Sequence, residues 1–153
     1  MSIDLAIGPR RELEVLHMGD RPLVSVIIPA FNAAKHIRQT LNSVLEQTHQ
    51  TLEVIVVDDG SADATAAIVE QFVEKDARIQ LIRQSNAGVG AARNMAIGKA
   101  HVKYIAPLDA DDVWSPKKLE NQVARMEQCD SETHTHPMGR SVKSQKKGVG
   151  MVL

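Results

Sequence analysis

The chain predicts an α/β fold, a mostly parallel sheet flanked by helices, on three observations. Short β-branched runs alternate with segments of helical period, the pattern of strand–helix–strand units. The strand runs are apolar throughout rather than alternating, as expected of strands covered on both faces. Polar residues gather where each run stops, and open parallel sheets bind ligands beyond the carboxyl ends of their strands.

Each element has its own warrant. Residues Met1 to Arg21 mix charge with short apolar pieces and are expected to form a loose arm. Val24 to Ile28 is a β-branched run closed by Pro29, hence a buried strand. Lys35 to Gln47 puts Ile37, Leu41, Val44 and Leu45 on one helical face. Glu53 to Val57 is a second buried strand, ended by Asp58-Asp59-Gly60-Ser61. A helix from Asp63 to Lys75 follows, with Asp63 placed to cap it. Ile79 to Ile82 is the third strand, Asn86 to Gly90 a turn, and Ala91 to Ala100 a helix of small residues. Val102 to Leu108 is the fourth strand, with Pro107 suited only to its end or to an edge. Ser115-Pro116 starts a last helix to about Gln128, with Pro116 at its first position. The domain therefore spans residues 22–128. Residues 129–153 are polar, rich in Gly, Ser and Lys, and expected to be an irregular, disordered tail.

Composition narrows the class. At 153 residues the chain can bury one sizeable core. A net charge of -1 gives no basic field for nucleic acid. The single cysteine, Cys129, excludes an internal disulfide and fits a reducing, cytoplasmic setting. Residues 1–21 have no signal-peptide core, and no apolar stretch is long enough to span a bilayer. His134 and His136 lack companion metal ligands, and Lys143, Lys146 and Lys147 read as a solvated face.

Ile105 to Trp114 is the most informative stretch. An apolar run ends in Asp109, Asp111 and Asp112 around Ala110. Carboxylates this close repel each other unless a cation or hydrogen bonds balance them. At a strand end they form a hard-oxygen site suited to Mg²⁺ or Mn²⁺, which share their remaining positions with phosphates. A helix N-cap explains the same residues without a ligand. Asn32, Asp58, Asp59 and Asn86 fall at the other strand ends, and that convergence favours a binding site.

Four segments, Ser25 to Asn32 (SVIIPAFN), Val56 to Ser61 (VVDDGS), Asn86 to Asn94 (NAGVGAARN) and Leu108 to Asp112 (LDADD), resemble the motifs of family 2 glycosyltransferases. Their order and spacing match, over roughly Pro22 to Gln128. The resemblance implies the nucleotide-binding half of the GT-A, Rossmann-like fold. It also implies a nucleotide-diphospho-sugar donor, a UDP-sugar above others, a divalent metal, and inverting transfer to a saccharide or lipid-linked acceptor. By the same resemblance Pro29, Ala30 and Phe31 line the nucleotide pocket and Asn32 shapes the turn. Asp59 accepts a hydrogen bond from a pyrimidine base with Asp58 in support, although an Asx-type turn also suits Asp58 to Ser61. Arg93 and Asn94 place the nucleotide or pin the acidic loop; a surface arginine is the plain alternative. Asp109-Ala110-Asp111 is similar to the DXD signature, the first Asp on the ribose and the last on the metal, with Asp112 a further metal candidate. Trp114 reads as a packing residue.

The resemblance implies polysaccharide, lipopolysaccharide or glycolipid assembly at the cytoplasmic face of a membrane, with peripheral attachment. Family members continue well past the acidic motif, whereas here one helix and an irregular tail follow. The chain thus reads as truncated after the DXD motif, with no residue after Gln128 to serve as general base. An unpaired fourth strand would promote self-association. Two other readings remain: an inactive nucleotide-binding remnant of the same fold, and a receiver-like signalling domain built on Asp58 and Asp59. The receiver lacks a third Asp, because Ser85-Asn86 follows the third strand. A dinucleotide-binding unit is weaker, since Gly88-Val89-Gly90 lacks the third glycine of that fingerprint.

Overall fold

The computed structural model describes residues 23–100, 102–132 and 150–151. The arm expected over residues 1–21, and His134, His136, Lys143, Lys146 and Lys147, lie outside the described residues.

Among the described residues five strands and four helices alternate: β1 (Val24–Ala30), α1 (Ile37–Leu45), β2 (Leu52–Asp58), α2 (Thr65–Lys75), β3 (Ile79–Arg83), α3 (Val89–Lys99), β4 (Tyr104–Pro107), α4 (Lys118–Glu132) and β5 (Gly150–Met151). The sheet order is β3-β2-β1-β4-β5, and every pairing is parallel. The chain winds outward from β1 through β2 to β3, then crosses back to lay β4 on the other side of β1. The switch in winding direction therefore falls between β1 and β4, where such sheets open a crevice for ligands.

Strand pleating sends alternate side chains to opposite faces. Val24, Val26, Ile28, Val54, Val56, Tyr104 and Ala106 pack with Ile37, Leu41 and Val44 of α1, Val69 of α2, and Leu119 and Val123 of α4. Ile27, Ile55, Val57 and Ile105 face the other way, onto Ala92 and Ala96 of α3. Small residues on α3 let it lie close to the sheet. Each fully buried aliphatic side chain contributes about 1.5–3 kcal/mol.

The two prolines show why the strands end where they do. β1 runs through Pro29 to Ala30, one turn of the pleat beyond the expected stop. Ala30 O accepts from Asp59 N–H on the β2 side, and Ile27 O accepts from Leu108 N–H on the β4 side. By alternation Pro29 directs its missing donor toward β4, which has already ended: Pro107 is opposite Ile27. No ladder bond is lost, so proline is tolerated in a central strand. Pro107 closes β4, as expected from its position.

Pro116 differs from expectation. It sits in a turn before α4, which begins at Lys118. Its carbonyl accepts from Thr48 N–H at 2.8 Å and Thr48 Oγ1 at 3.3 Å, so it ties the turn to the end of α1 instead of opening the helix. α4 continues to Glu132, past the expected end. The segment expected to be irregular also supplies β5, which pairs with Tyr104 and Ile105 of β4. No described helix is long and apolar enough to cross a membrane.

Candidate functional site

The loops after β1, β2, β3 and β4 meet above the carboxyl end of the sheet. They enclose a cleft of about 520 Å³ lined by Pro29, Ala30, Phe31, Asn32, Asp59, Asn86, Gly88, Val89, Asp109, Ala110 and Asp111, among others. Asp59 and Asp111, some fifty residues apart in sequence, thus share one concavity.

The loop after β1 is laced to the loop after β2. Asn32 adopts φ 47°, a left-handed conformation that asparagine accepts more readily than most residues. Its N–H donates to Ser61 Oγ at 2.9 Å, and its Oδ1 accepts from Ala62 N–H at 2.8 Å. Ala33 N–H donates to Thr65 Oγ1, and Ala34 N–H to Asp63 Oδ2. Asp63 also accepts from Thr65 N–H at the start of α2; the N-cap is Ala64, which makes no side-chain capping bond, so Asp63 acts from one residue outside the position expected of a cap. These bonds turn Phe31 outward, where it and Val89 form exposed apolar walls of the cleft.

Asp59 is only 3% exposed. Its Oδ1 accepts from Gln84 Nε2 and Ala87 N–H, both at 2.8 Å, and its Oδ2 accepts from Gly88 N–H at 2.9 Å. The Gln84 amide, then the Ala87 N–H, holds its carboxyl below the usual carboxylate range; burial opposes the shift. Gly60 makes this approach possible. It has φ 76°, and a Cβ there would stand 2.9 Å from Asn86 N. Asp58 lies beneath the cleft, buried, and its Oδ1 accepts from Ser61 N–H at 3.3 Å. It supports the turn without lining the cleft.

On the opposite rim, Asp109 and Asp111 are exposed. The Asp109 side chain, 60% accessible, pairs with Arg93 Nη2 of α3 at 3.1 Å. Arg93 therefore reaches the acidic loop, while Asn94 lies exposed on α3 and does not line the cleft. Asp112 N–H closes a turn on Asp109 O. Its side chain lies in a second cleft of about 440 Å³, with Arg93, Asp109, Trp114 and Lys118. Trp114 is half-buried against the larger core, with the Lys118 ammonium 5.1 Å from its ring centre.

Among the described residues no three metal-ligating side chains converge. Asp109 and Asp111 offer hard carboxylate oxygens to one cleft, and Mg²⁺ or Mn²⁺ is commonly held by one or two carboxylates with the rest supplied by substrate phosphates. The donor set fits such an ion shared with a diphosphate; a cage made by protein alone is not present among these residues.

Sequence reasoning gave no part to Gln84 or His36, and placed Gly88 and Val89 only within the Asn86 to Asn94 motif. Only Gly88 left a signal: its φ of 96° lets its N–H turn to Asp59 at the start of α3.

Comparison with known proteins agrees with this geometry. The family model described as glycosyl transferase family 2 matches residues 25–146. The chain belongs to that family. It is 45% identical over 107 residues to the putative teichuronic acid biosynthesis glycosyltransferase TuaG of Bacillus subtilis, covering 69% of this chain and 42% of TuaG. The crystal structure of S. aureus TarS 1-349 in complex with UDP superposes with a TM-score of 0.64 at 33% identity, over 69% of this chain and 32% of that one. The mannosyltransferase PcManGT from Pyrobaculum calidifontis, in complex with GDP-Man and Mn²⁺, gives the same TM-score and identity, over 67% and 32%. The chain spans less than half the length of these relatives.

Proposed function

We propose that the cleft binds a nucleotide-diphospho-sugar, UDP-linked above other nucleotides, for metal-dependent, inverting transfer to a saccharide or lipid-linked acceptor. The observation that carries this reading is the convergence of Asp59, Asp109 and Asp111 on one cleft with apolar walls. Phe31 and Val89 would flank the base, with Pro29 and Ala30 as its floor. Asp59 Oδ2, which takes one hydrogen bond among the described residues, would accept from the base N–H. Asp109 would meet the ribose once Arg93 yields, and Asp111 would hold the metal together with the diphosphate. A bound Mg²⁺ or Mn²⁺ would neutralise the leaving diphosphate as a Lewis acid.

Inverting transfer breaks the bond from the anomeric carbon to the diphosphate oxygen. It forms one from the acceptor oxygen on the opposite face, and the hydroxyl proton passes to a general base. Among the described residues that line the cleft the carboxylates are Asp59, Asp109 and Asp111, each already assigned to the donor. The likeness to TuaG, named for teichuronic acid biosynthesis, supports a role in polysaccharide assembly; peripheral attachment at the inner face of a membrane belongs to the same proposal. Self-association through the β4 edge, which β5 covers over two residues, belongs to the same proposal.

Calorimetric titration of UDP with and without Mn²⁺ tests the site. Wild type should bind more tightly with Mn²⁺, and Asp111→Ala should lose that gain. Equal affinities for wild type in both conditions would remove the metal from the account. Transfer from a radiolabelled donor tests the reaction separately.

A further inference from the structure

We infer that helix α1 and the turn that follows it position the acidic loop, through Thr40, Ser43 and Gln47. Thr40 and Ser43 share one side of α1 next to its apolar stripe, and Gln47 follows just past the helix's end at Leu45. All three are buried, Thr40 and Gln47 completely.

Apart from bonds within the α1 region, among them Thr40 Oγ1 to His36 O at 3.3 Å, theirs go to a single segment, residues 110–119. Thr40 Oγ1 donates at 2.8 Å to the carbonyl of Ala110, the residue between Asp109 and Asp111. Ser43 Oγ accepts from Trp114 N–H at 3.2 Å and donates to Thr40 O at 2.7 Å. Gln47 Nε2 donates to Ser115 O at 2.7 Å and Ser43 O at 3.1 Å, while its Oε1 accepts from Leu119 N–H at 3.0 Å. Within residues 109–118 the loop's own backbone bonds are short-range: Asp112 to Asp109, and Lys118 to Ser115. Its conformation is therefore set from outside, chiefly by α1 and the turn after it, with Thr48 on the Pro116 carbonyl and Arg93 on Asp109 adding to the hold.

Apolar side chains would serve a core equally well at these positions, and buried polar groups are costly unless fully partnered. The yield of these three is placement. A metal held by only two carboxylates depends on the backbone to aim them, and such sites tolerate errors of only about 0.5 Å. Thr40, Ser43 and Gln47 are thus positioning residues; they touch neither donor nor metal. The purpose assigned to them rests on the metal–diphosphate reading of the cleft. The mechanical claim, that α1 and the turn after it fix the loop, does not.

The test begins with the ligand-free full chain. Amide hydrogen exchange is followed at Asp112 and Trp114, with Ala87 and Gly88, bound to Asp59, as internal controls. Trp114 is the sole tryptophan, so acrylamide quenching reports on the loop directly. Thr40→Val should speed exchange at Asp112 and Trp114 about five- to tenfold, the worth of one buried hydrogen bond, and leave Ala87 and Gly88 unchanged. Thr40→Ser, which keeps the hydroxyl, should restore wild-type exchange. Ser43→Ala is the milder second variant, should Thr40→Val not fold; it should raise Trp114 quenching. In Thr40→Val the Mn²⁺-dependent gain in UDP affinity should fall by a similar factor while metal-free UDP binding persists.

Unchanged loop exchange in a folded Thr40→Val or Ser43→Ala overturns the inference, as does equal acceleration at Ala87 and Gly88. If wild type shows no Mn²⁺ effect on UDP binding, the assigned purpose falls, and the exchange data still decide whether α1 holds the loop.

Discussion

The two rims of the cleft both present carboxylates, but they are built in opposite ways. On the Asp59 rim the side chain is buried and bound by three donors of the segment that follows β3. Its direction is fixed, and little of its hydrogen-bonding capacity is left over. On the acidic rim the carboxylates stand in solvent, and it is the backbone beneath them that is fixed, by α1. A directional bond to a base edge needs an acceptor locked in place. A cation needs free lone pairs on a frame that brings them near one another. On the proposed function, the contrast would let one residue type serve two kinds of recognition, according to whether the protein satisfies the side chain or the main chain.

Replacing Asp109 and Asp111 together by Ala should give the largest functional change and almost no structural one. Metal-dependent UDP binding should fall by more than about 100-fold, since even residues that merely orient a metal ligand matter 10- to 100-fold. Stability measured by urea unfolding should stay within about 0.5 kcal/mol, as for other surface substitutions. A large loss of stability would break the contrast.

Asp59→Ala should act on both quantities. UDP binding should weaken roughly 10- to 100-fold with or without Mn²⁺, the worth of a charge-assisted hydrogen bond. The Gln84, Ala87 and Gly88 donors would also lose their acceptor, so the unfolding midpoint should drop. The pH dependence has a definite sign. Asp59, and likewise Asp63, held down first by the Thr65 hydroxyl, titrate below the usual carboxylate range in the folded chain. Their stabilising contribution is therefore complete above that range and is lost as the pH falls below it, through their lowered folded values. Wild type should lose stability on acidification more steeply than Asp59→Asn, as followed by circular dichroism.

Gly60→Ala combines left-handed strain with the approach to Asn86 N, and should cost about 1–3 kcal/mol in urea unfolding. Arg93→Met should be mildest. Its bond to Asp109 is half-exposed and its buried Nε has no partner among the described residues, so stability should change by less than about 1 kcal/mol.

The sequence made the sheet and the carboxylates of both rims legible, and it did so for a physical reason. β-Branched runs and helical periods are local, and so are the turn signals at Asp58-Asp59-Gly60-Ser61 and the acidic cluster. The convergence of Asn32, Asp59, Asn86 and Asp109 could be read because strand ends share one edge of a parallel sheet. The polar positions on α1 and just after it could not. Thr40, Ser43 and Gln47 look like ordinary polar helix residues until partners about seventy positions away are known. The place of Pro116 was misjudged for the same reason: its local preference for a first helical position lost to a distant bond from Thr48. Asp112 was grouped with its neighbours by adjacency, yet the turn at Asp109 carries its side chain into the second cleft.

The order of the strands also governs how the molecule comes into being. Synthesis delivers β1, β2 and β3 as sequential neighbours, so a three-stranded platform can form on the ribosome while the central strand still has one bare flank. Only when β4 emerges and slots into that flank does the second half of the pocket arrive. A nascent chain halted before residue 104 would carry the Asp59 clamp and no acidic counterpart, and its sticky open flank would call for a chaperone.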